Sequence, residues 1–372
     1  MLQNHAFVYR KDVLFLYAEL ILEDGSRFPG FPLGGSETCI CEIVFNTSMT
    51  GYQELLTDPA SLGQGIVMTY PLIGNYGINN EDSESGRPWA KALIVRQIAQ
   101  RGSNFRCQRD VDSWLRDFGI TAIHGVETRA LTRLLRSKGT MNGMITCTPP
   151  ENIEEALEQI RAFRIAGAVD AVSCRQPRHY GGDGPRVAVL DLGLRESLLH
   201  SLRRRGCSVT IFPARTSAYL ILRGGFDGLL FSEGPGSPEQ CSELLPEIRK
   251  LCESPLPVFG VGLGHQLMAM AFGGAVEKLP HGHRGGSHPV RDTETGKVVI
   301  TAQNHGYTVS VGSLPEETAR VSYVNINDGS VEGLVYGDGK KFSVQFQPES
   351  SPGPTGTGFL FDRFLKLMGG AD

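Results

Sequence analysis

The run Pro257-Val258-Phe259-Gly260-Val261-Gly262-Leu263-Gly264-His265-Gln266-Leu267-Met268 constrains the fold of this chain most. Its apolar opening fits a buried strand, its spaced glycines fit a tight turn, and a helix is expected to begin near His265. Such a junction belongs to a parallel sheet with crossover helices, and the surrounding sequence alternates accordingly. Residues 187–191, 208–212, 228–231 and 258–261 read as extended, and 195–205 and 238–252 as helical. The stretch 359–368 reads as an amphipathic closing helix.

The first half differs. An apolar run from Leu20 meets Asp24-Gly25, a pair suited to a hairpin turn, and residues 41–46, 65–70 and 92–95 are short, β-branched or aromatic runs. Helical spacing is confined mainly to 111–118 and 128–138. Residues 176–186 carry too much Gly and Pro to continue either element. The expected organisation is an extension over 1–18, a domain over 19–175, a linker over 176–186 and a second domain over 187–372. The fold class is α/β: a β-rich mixed amino-terminal domain, then an open, mostly parallel sheet.

Charge and cysteine usage narrow the function classes. Lys plus Arg total 36 against 40 Asp plus Glu, a net charge of −4, so no nucleic-acid partner is expected. The apolar stretch 13–18 is far short of the ~20 residues a membrane span needs, so no membrane partner is expected either. Eight scattered cysteines without a C-x-x-C pair fit a reducing cytoplasm.

Ligands of open parallel sheets collect where strands hand over to helices. One such junction is Phe231-Ser232-Glu233-Gly234-Pro235-Gly236-Ser237-Pro238, whose glycines let main-chain N–H groups approach an anion. The other is the elbow at Gly262. Its geometry suits a nucleophile, yet glycine carries none.

These motifs, with Gln347-Pro348-Glu349 downstream, resemble class I glutamine amidotransferases. Phe45-Asn46-Thr47-Ser48-Met49-Thr50-Gly51-Tyr52-Gln53-Glu54, Thr57-Asp58-Pro59, Thr128-Arg129, Arg133, Asn304-His305-Gly306 and Pro348-Glu349-x-x-Pro352-Gly353-Pro354 resemble the carbamoyl phosphate synthetase small subunit. The resemblance implies an amino-terminal domain that contacts a large subunit, and a glutaminase domain that hydrolyses glutamine and passes ammonia on. It implies a place in arginine or pyrimidine synthesis. ATP and magnesium would belong to the large subunit, and no cofactor is expected in this chain.

The family's Cys–His–Glu triad matches Gly262, Gln347 and Glu349, so nucleophile and base are both replaced. Gln347 does not titrate and cannot take a thiol proton. Loss of a nucleophile from a comparable triad costs about 10⁶ in kcat, roughly 8 kcal/mol of barrier. The expected role is that of an inactive glutaminase serving as structural or regulatory partner of an ammonia-using synthetase, and mammalian ammonia-dependent relatives also lack the nucleophile. The alternatives are a stand-alone glutamine-binding regulatory pseudoenzyme and a glutaminase with an unorthodox nucleophile.

By the same match, Gly234, Gly236, Leu263, Gln266, Asn304, Gly306 and Tyr307 would line a glutamine pocket, with the Gly234 and Leu263 amides as oxyanion donors. Ala60 stands at a usual serine contact, beside Ser61, while Glu233 and Ser237 replace Asn and Asp. A carboxylate at Glu233 is expected to oppose an oxyanion. Glu349 is expected to have nothing left to orient. His281, His283 and His288 put three imidazoles in eight residues, but without a local carboxylate or thiol, and in a loop-like context, no metal is expected. His305 is expected to position rather than to transfer protons. Cys241 and Cys252 are read as core packing on a helix, and Cys207 as the start of a strand.

Overall fold

The computed structural model describes residues 17–349, 353 and 356–369. Most of the expected extension, and Pro352 and Pro354, lie outside the described residues.

The expected hairpin forms: β1 (Ala18–Leu22) turns through Asp24-Gly25 into β2 (Arg27–Gly34), with Ile21 opposite Arg27. With β3 (Cys39–Asn46), β4 (Gln64–Met68), β5 (Ala92–Ile94), β6 (Thr121–His124) and β7 (Met141–Thr146) they close a barrel in the order β1-β2-β6-β5-β4-β3-β7. Alternate residues of these strands, among them Leu20, Leu22, Cys41, Ile43, Ile94 and Ile145, form one buried cluster with Leu131 and Leu135 of the helix Thr128–Lys138. Arg129 and Arg133 lie on the same helix outside its buried positions. The helix Val111–Asp117 packs on another cluster through Trp114 and Leu115.

The second half forms a 10-stranded sheet from β8 (Arg178–Tyr180), β9 (Arg186–Asp191), β10 (Ser208–Pro213), β11 (Gly228–Phe231), β12 (Val258–Val261), β13 (Val276–Asp292), β14 (Val298–Val309), β15 (Ala319–Asn325), β16 (Val331–Tyr336) and β17 (Lys341–Val344). The order is β8-β10-β9-β11-β12-β17-β16-β14-β13-β15. β10, β9, β11, β12 and β17 run parallel, as the alternation of strands and helices implies, and the remaining strands pair antiparallel. Neighbouring residues on the parallel strands serve opposite faces. Ala188, Leu190, Leu229 and Phe231 pack under the helix Leu263–Ala271, whereas Val187, Val189, Leu230 and Phe259 pack under Leu198, Leu202, Phe361 and Phe364.

Four local expectations are corrected. Within the supposed linker, Arg178–Tyr180 pairs as an edge strand with β10, because its main chain finds free partners there despite the flanking glycines. Residues 238–252 divide at Leu245, where a 3₁₀ turn (Pro238–Leu244, carrying Cys241) gives way to a helix with proline in its first turn. Cys207 precedes β10 and is buried, as are Cys241 and Cys252. The three-histidine segment is not a loop: it lies on β13, where shifts of register after Lys278 and after Gly285 accommodate Pro280, Gly282 and Gly286.

The two sheets meet through polar contacts. Thr47 N–H donates to the Arg284 carbonyl (3.1 Å), Thr140 N–H to the Pro280 carbonyl (2.8 Å), and Lys278 pairs with Glu42 (2.7 Å). At the centre stands Arg195, 1% exposed, at the head of the helix Glu196–Arg203. It pairs with Glu84 at 2.6 Å and Glu349 at 2.7 Å, with Asp58 at 3.8 Å and Glu233 at 4.0 Å. Glu84 also caps that helix from the other half of the chain, accepting from the Ser197 and Glu196 amides. Replacing Arg195 by Met is expected to cost about 3–5 kcal/mol in urea unfolding, since it strands carboxylates in a dry interior. A loss below about 1 kcal/mol would show that the cluster does not hold the halves together.

Candidate functional site

The Gly234 and Gly262 turns follow parallel neighbours, β11 and β12, with Phe231 opposite Gly260, so they lie side by side at the carboxyl edge of the sheet. Ser232 joins them. Its carbonyl accepts from the Gly264 amide at 3.0 Å, while its hydroxyl accepts from the Leu192 amide and donates to the Glu233 carbonyl. A Cβ on Gly234 would sit 2.3 Å from the Leu192 carbonyl, so only glycine brings the main chain this close. Among the described residues, neither the Gly234 nor the Leu263 amide donates to another group of the protein, which leaves both free for an oxyanion.

Gly262 holds φ 55° and ψ −112°, immediately before the helix Leu263–Ala271. Its amide donates to the Val344 carbonyl at 2.9 Å, which ties the elbow to β17. β17 then leads through Gln345 to Gln347, whose amide donates to the Ala302 carbonyl at 2.9 Å. Gly262 and Gln347 therefore share one cavity of about 730 Å³. Gly234, Gly236, Leu263, Gln266, Asn304, Gly306 and Tyr307 line it as well.

Several of these side chains are already engaged. Gln266 donates to the Tyr307 carbonyl at 3.0 Å and to the Gln345 carboxamide at 2.9 Å, so its own carboxamide nitrogen is occupied. Asn304 donates to Asp58 at 2.9 Å. His265 is buried against the Ser343 hydroxyl at 2.8 Å, and burial pushes its pKa down to about 3, which leaves it neutral. Ala60 lines the cavity, while Ser61 donates to the Leu55 carbonyl.

Two expectations about carboxylates change. Glu349, expected to be idle, does not line the cavity; its buried side chain accepts from Arg195. Burial pushes its pKa up to about 7 against the pull of that guanidinium. Glu233 is not a carboxylate opposing an oxyanion. Burial, reinforced by the nearby Glu349, raises its pKa well above the ordinary value, so it stands neutral beside Gly262. Neither of its carboxyl oxygens has a hydrogen-bond partner among the described residues. For Arg195, burial works against the charge, but Glu84, Asp58, Glu349 and Glu233 outweigh it and raise its pKa.

Arg195 and Glu84 were missed in the sequence, where Arg195 is only the first residue of an expected helix. An arginine set directly behind a strand's apolar end, at a strand-to-helix junction, was the available signal. Its partners lie 111 and 154 positions away.

Residues 188–367 match the glutamine amidotransferase class-I family, and residues 20–145 match the carbamoyl-phosphate synthase small chain, CPSase domain. The second half is thus a class I glutamine amidotransferase domain. A solved structure described as a putative GMP synthase subunit from Thermoplasma acidophilum aligns at 21% identity and a TM-score of 0.45, over 50% of this chain and 94% of its own. The chain is 47% identical to the carbamoyl phosphate synthase pyrimidine-specific small chain of Halalkalibacterium halodurans, over 94% of this chain and 96% of that one. It is 44% identical to the carbamoyl phosphate synthase small chain of Symbiobacterium thermophilum, over 93% and 97%. The chain as a whole belongs to the carbamoyl phosphate synthase small chain family.

The elbow yields two predictions. A Cβ at Gly262 would meet the Glu233 Cβ at 2.8 Å, in a backbone conformation that side chains adopt only under strain. Gly262→Cys and Gly262→Ala should each lower stability by about 1–3 kcal/mol in urea unfolding, and a more stable cysteine variant would refute the strain. The second concerns pH. The folded chain holds a proton on Glu233 that the unfolded chain releases above its ordinary pKa of 4.5, so this residue's contribution falls as pH rises. The stability of Glu233→Gln relative to the parent should therefore grow steadily from pH 5 to pH 8. A difference flat across that range would mean that Glu233 is ionised in the fold.

Proposed function

We propose that this chain is the small subunit of a carbamoyl phosphate synthetase whose glutaminase crevice is kept as architecture and performs no hydrolysis. The observation that carries the reading is the pairing of Gly262 with Gln347 on one cavity. Amide hydrolysis there requires an attacking thiolate, a group to take its proton and return it to the departing ammonia, and a carboxylate to orient that group. Gly262 offers no attacking atom, and Gln347 cannot shuttle a proton. Glu349, the third position, is committed instead to Arg195, the guanidinium that Glu84 of the other half also holds.

Among the described residues, no neighbouring side chain supplies the missing chemistry. His265 is buried and neutral, and Cys241 and Cys252 are core residues whose thiols burial pushes up to about 11 and about 12. The retained oxyanion amides and the cavity are compatible with an amide ligand, but without a nucleophile a bound glutamine stays intact. The subunit then serves a partner that draws ammonia from solution. Its contribution is the docking surface of the amino-terminal half, whose arginine-rich helix Thr128–Lys138 presents Arg129 and Arg133.

The test uses the full chain, alone and with its large subunit. Purified protein should release no labelled amide nitrogen from glutamine above a blank, should co-purify with the large subunit, and should support carbamoyl phosphate synthesis from ammonium but not from glutamine. Release of labelled nitrogen by the parent chain that is lost in Glu349→Gln would overturn the proposal. A chain that binds glutamine but no large subunit would favour a stand-alone regulatory module.

A further inference from the structure

Away from the elbow, three strands bring a set of lone pairs to one buried point. His283 on β13 and His305 on β14 are direct partners in the antiparallel register, and Glu332 lies on β16, which pairs with β14. One donor atom from each of the three lies within 4.8 Å of the other two, and all three residues are buried.

Their hydrogen bonds determine which atoms are free. His305 Nδ1 lies 2.8 Å from the Tyr307 carbonyl, which can only accept, so the proton sits on Nδ1 and Nε2 is left as a lone pair. That Nε2 faces another acceptor, the Gln303 carboxamide oxygen, at 3.1 Å. His283 Nε2 lies 2.8 Å from the Asp328 carboxylate. A proton on that nitrogen leaves Nδ1 as the bare one, and it faces Glu332 Oε1 at 3.3 Å and the Asn325 carboxamide nitrogen at 3.5 Å. Glu332 is fully buried; Asn325 donates to its Oε1 at 3.1 Å, and its Oε2 has no partner among the described residues.

Asn325 reaches both His283 Nδ1 and Glu332 Oε1, but Glu332 Oε2 and His305 Nε2 are left without a donor among the described residues, and acceptors so placed in a dry interior call for positive charge. We propose that His283 Nδ1, His305 Nε2 and the Glu332 carboxylate form a site for a divalent transition-metal ion of the zinc class. Two imidazoles and a carboxylate are a donor set that suits zinc. Tetrahedral bonds of about 2.0–2.1 Å put neighbouring donors about 3.3–3.4 Å apart, the separation found between His283 and Glu332. The outer partners follow the pattern of metal-bound histidines, in which the second ring nitrogen is anchored by a carboxylate or a carbonyl: Asp328 for His283, Tyr307 for His305. Three adjacent strands supply the ligands, so the site is rigid. It also explains why β13 carries histidines where a plain strand would carry apolar residues.

The rival explanation is a proton on His283, which would make the cluster a buried ion pair without metal. Titration of the chelator-stripped full chain with zinc, and separately with cobalt as a coloured probe, separates the two. The expected result is one equivalent bound, a rise in the unfolding temperature on adding zinc, and cobalt absorption in the visible without a thiolate charge-transfer band. His283→Asn, His305→Asn and Glu332→Gln should each weaken binding by tenfold or more, and Asp328→Asn by about 10–100-fold. No binding by the parent overturns the site. So does a thiolate band, which would assign the metal to cysteine, or affinity unchanged in Glu332→Gln and His283→Asn. The parent titration decides the matter even if a variant fails to fold.

Discussion

One guanidinium organises this molecule. Arg195 is closed off from water and faces Asp58 and Glu84 from the barrel half and Glu233 and Glu349 from the sheet half. A single positive charge cannot balance four negative ones at low dielectric, so protonation makes up part of the difference: burial raises the pKa of Glu233 well above the ordinary carboxylate range and that of Glu349, beside Arg195, only to about 7. The relative placement of the halves, the capping of the helix Glu196–Arg203 and the protonation state of the crevice therefore share one origin.

The same crowded interior bears on how the crevice around Gly234 and Gly262 holds its shape. The turns around Gly234 and Gly262 are set by backbone bonds, from Gly262 to Val344 and from Gly264 to Ser232, none of which involves a nucleophile or a base. The free amides of Gly234 and Leu263 persist because of where the strands end. Glu349 persists because Arg195 requires a counter-charge. Glu349 is thus held by a structural demand, and Gln347 is held through its main chain by Ala302.

What the sequence disclosed follows the range of the interactions concerned. The Asp24-Gly25 hairpin, the helix at 128–138 and the elbow at Gly262 were legible because turn chemistry and apolar spacing act over a few residues. The cavity-lining positions were legible through resemblance alone, and the fold brings all seven to one cavity. Closure of the barrel was not legible, since it depends on β1 meeting β7 across more than a hundred residues. Nor was the antiparallel half of the second sheet, where glycine and proline on β13 imitate a loop while bulges keep the strand in register. The neutrality of Glu233 escaped for a third reason. Charge in an interior depends on everything nearby, and its neighbours came from four separate segments.

The same dependence links the two unusual residues of the elbow. A Cβ at position 262 and the Cβ of Glu233 would stand 2.8 Å apart, closer than side chains tolerate, so glycine is what lets these two strand ends approach as they do. Once that approach exists, Glu233 is sealed against Arg195 and Glu349, and its carboxyl is driven to the neutral form. The two positions constrain each other: a side chain at 262 would need the Glu233 backbone to retreat, and that retreat would loosen the ion cluster around Arg195. Glycine at 262 is in this sense built into the packing beside Glu233, and its effects reach the ion cluster around Arg195.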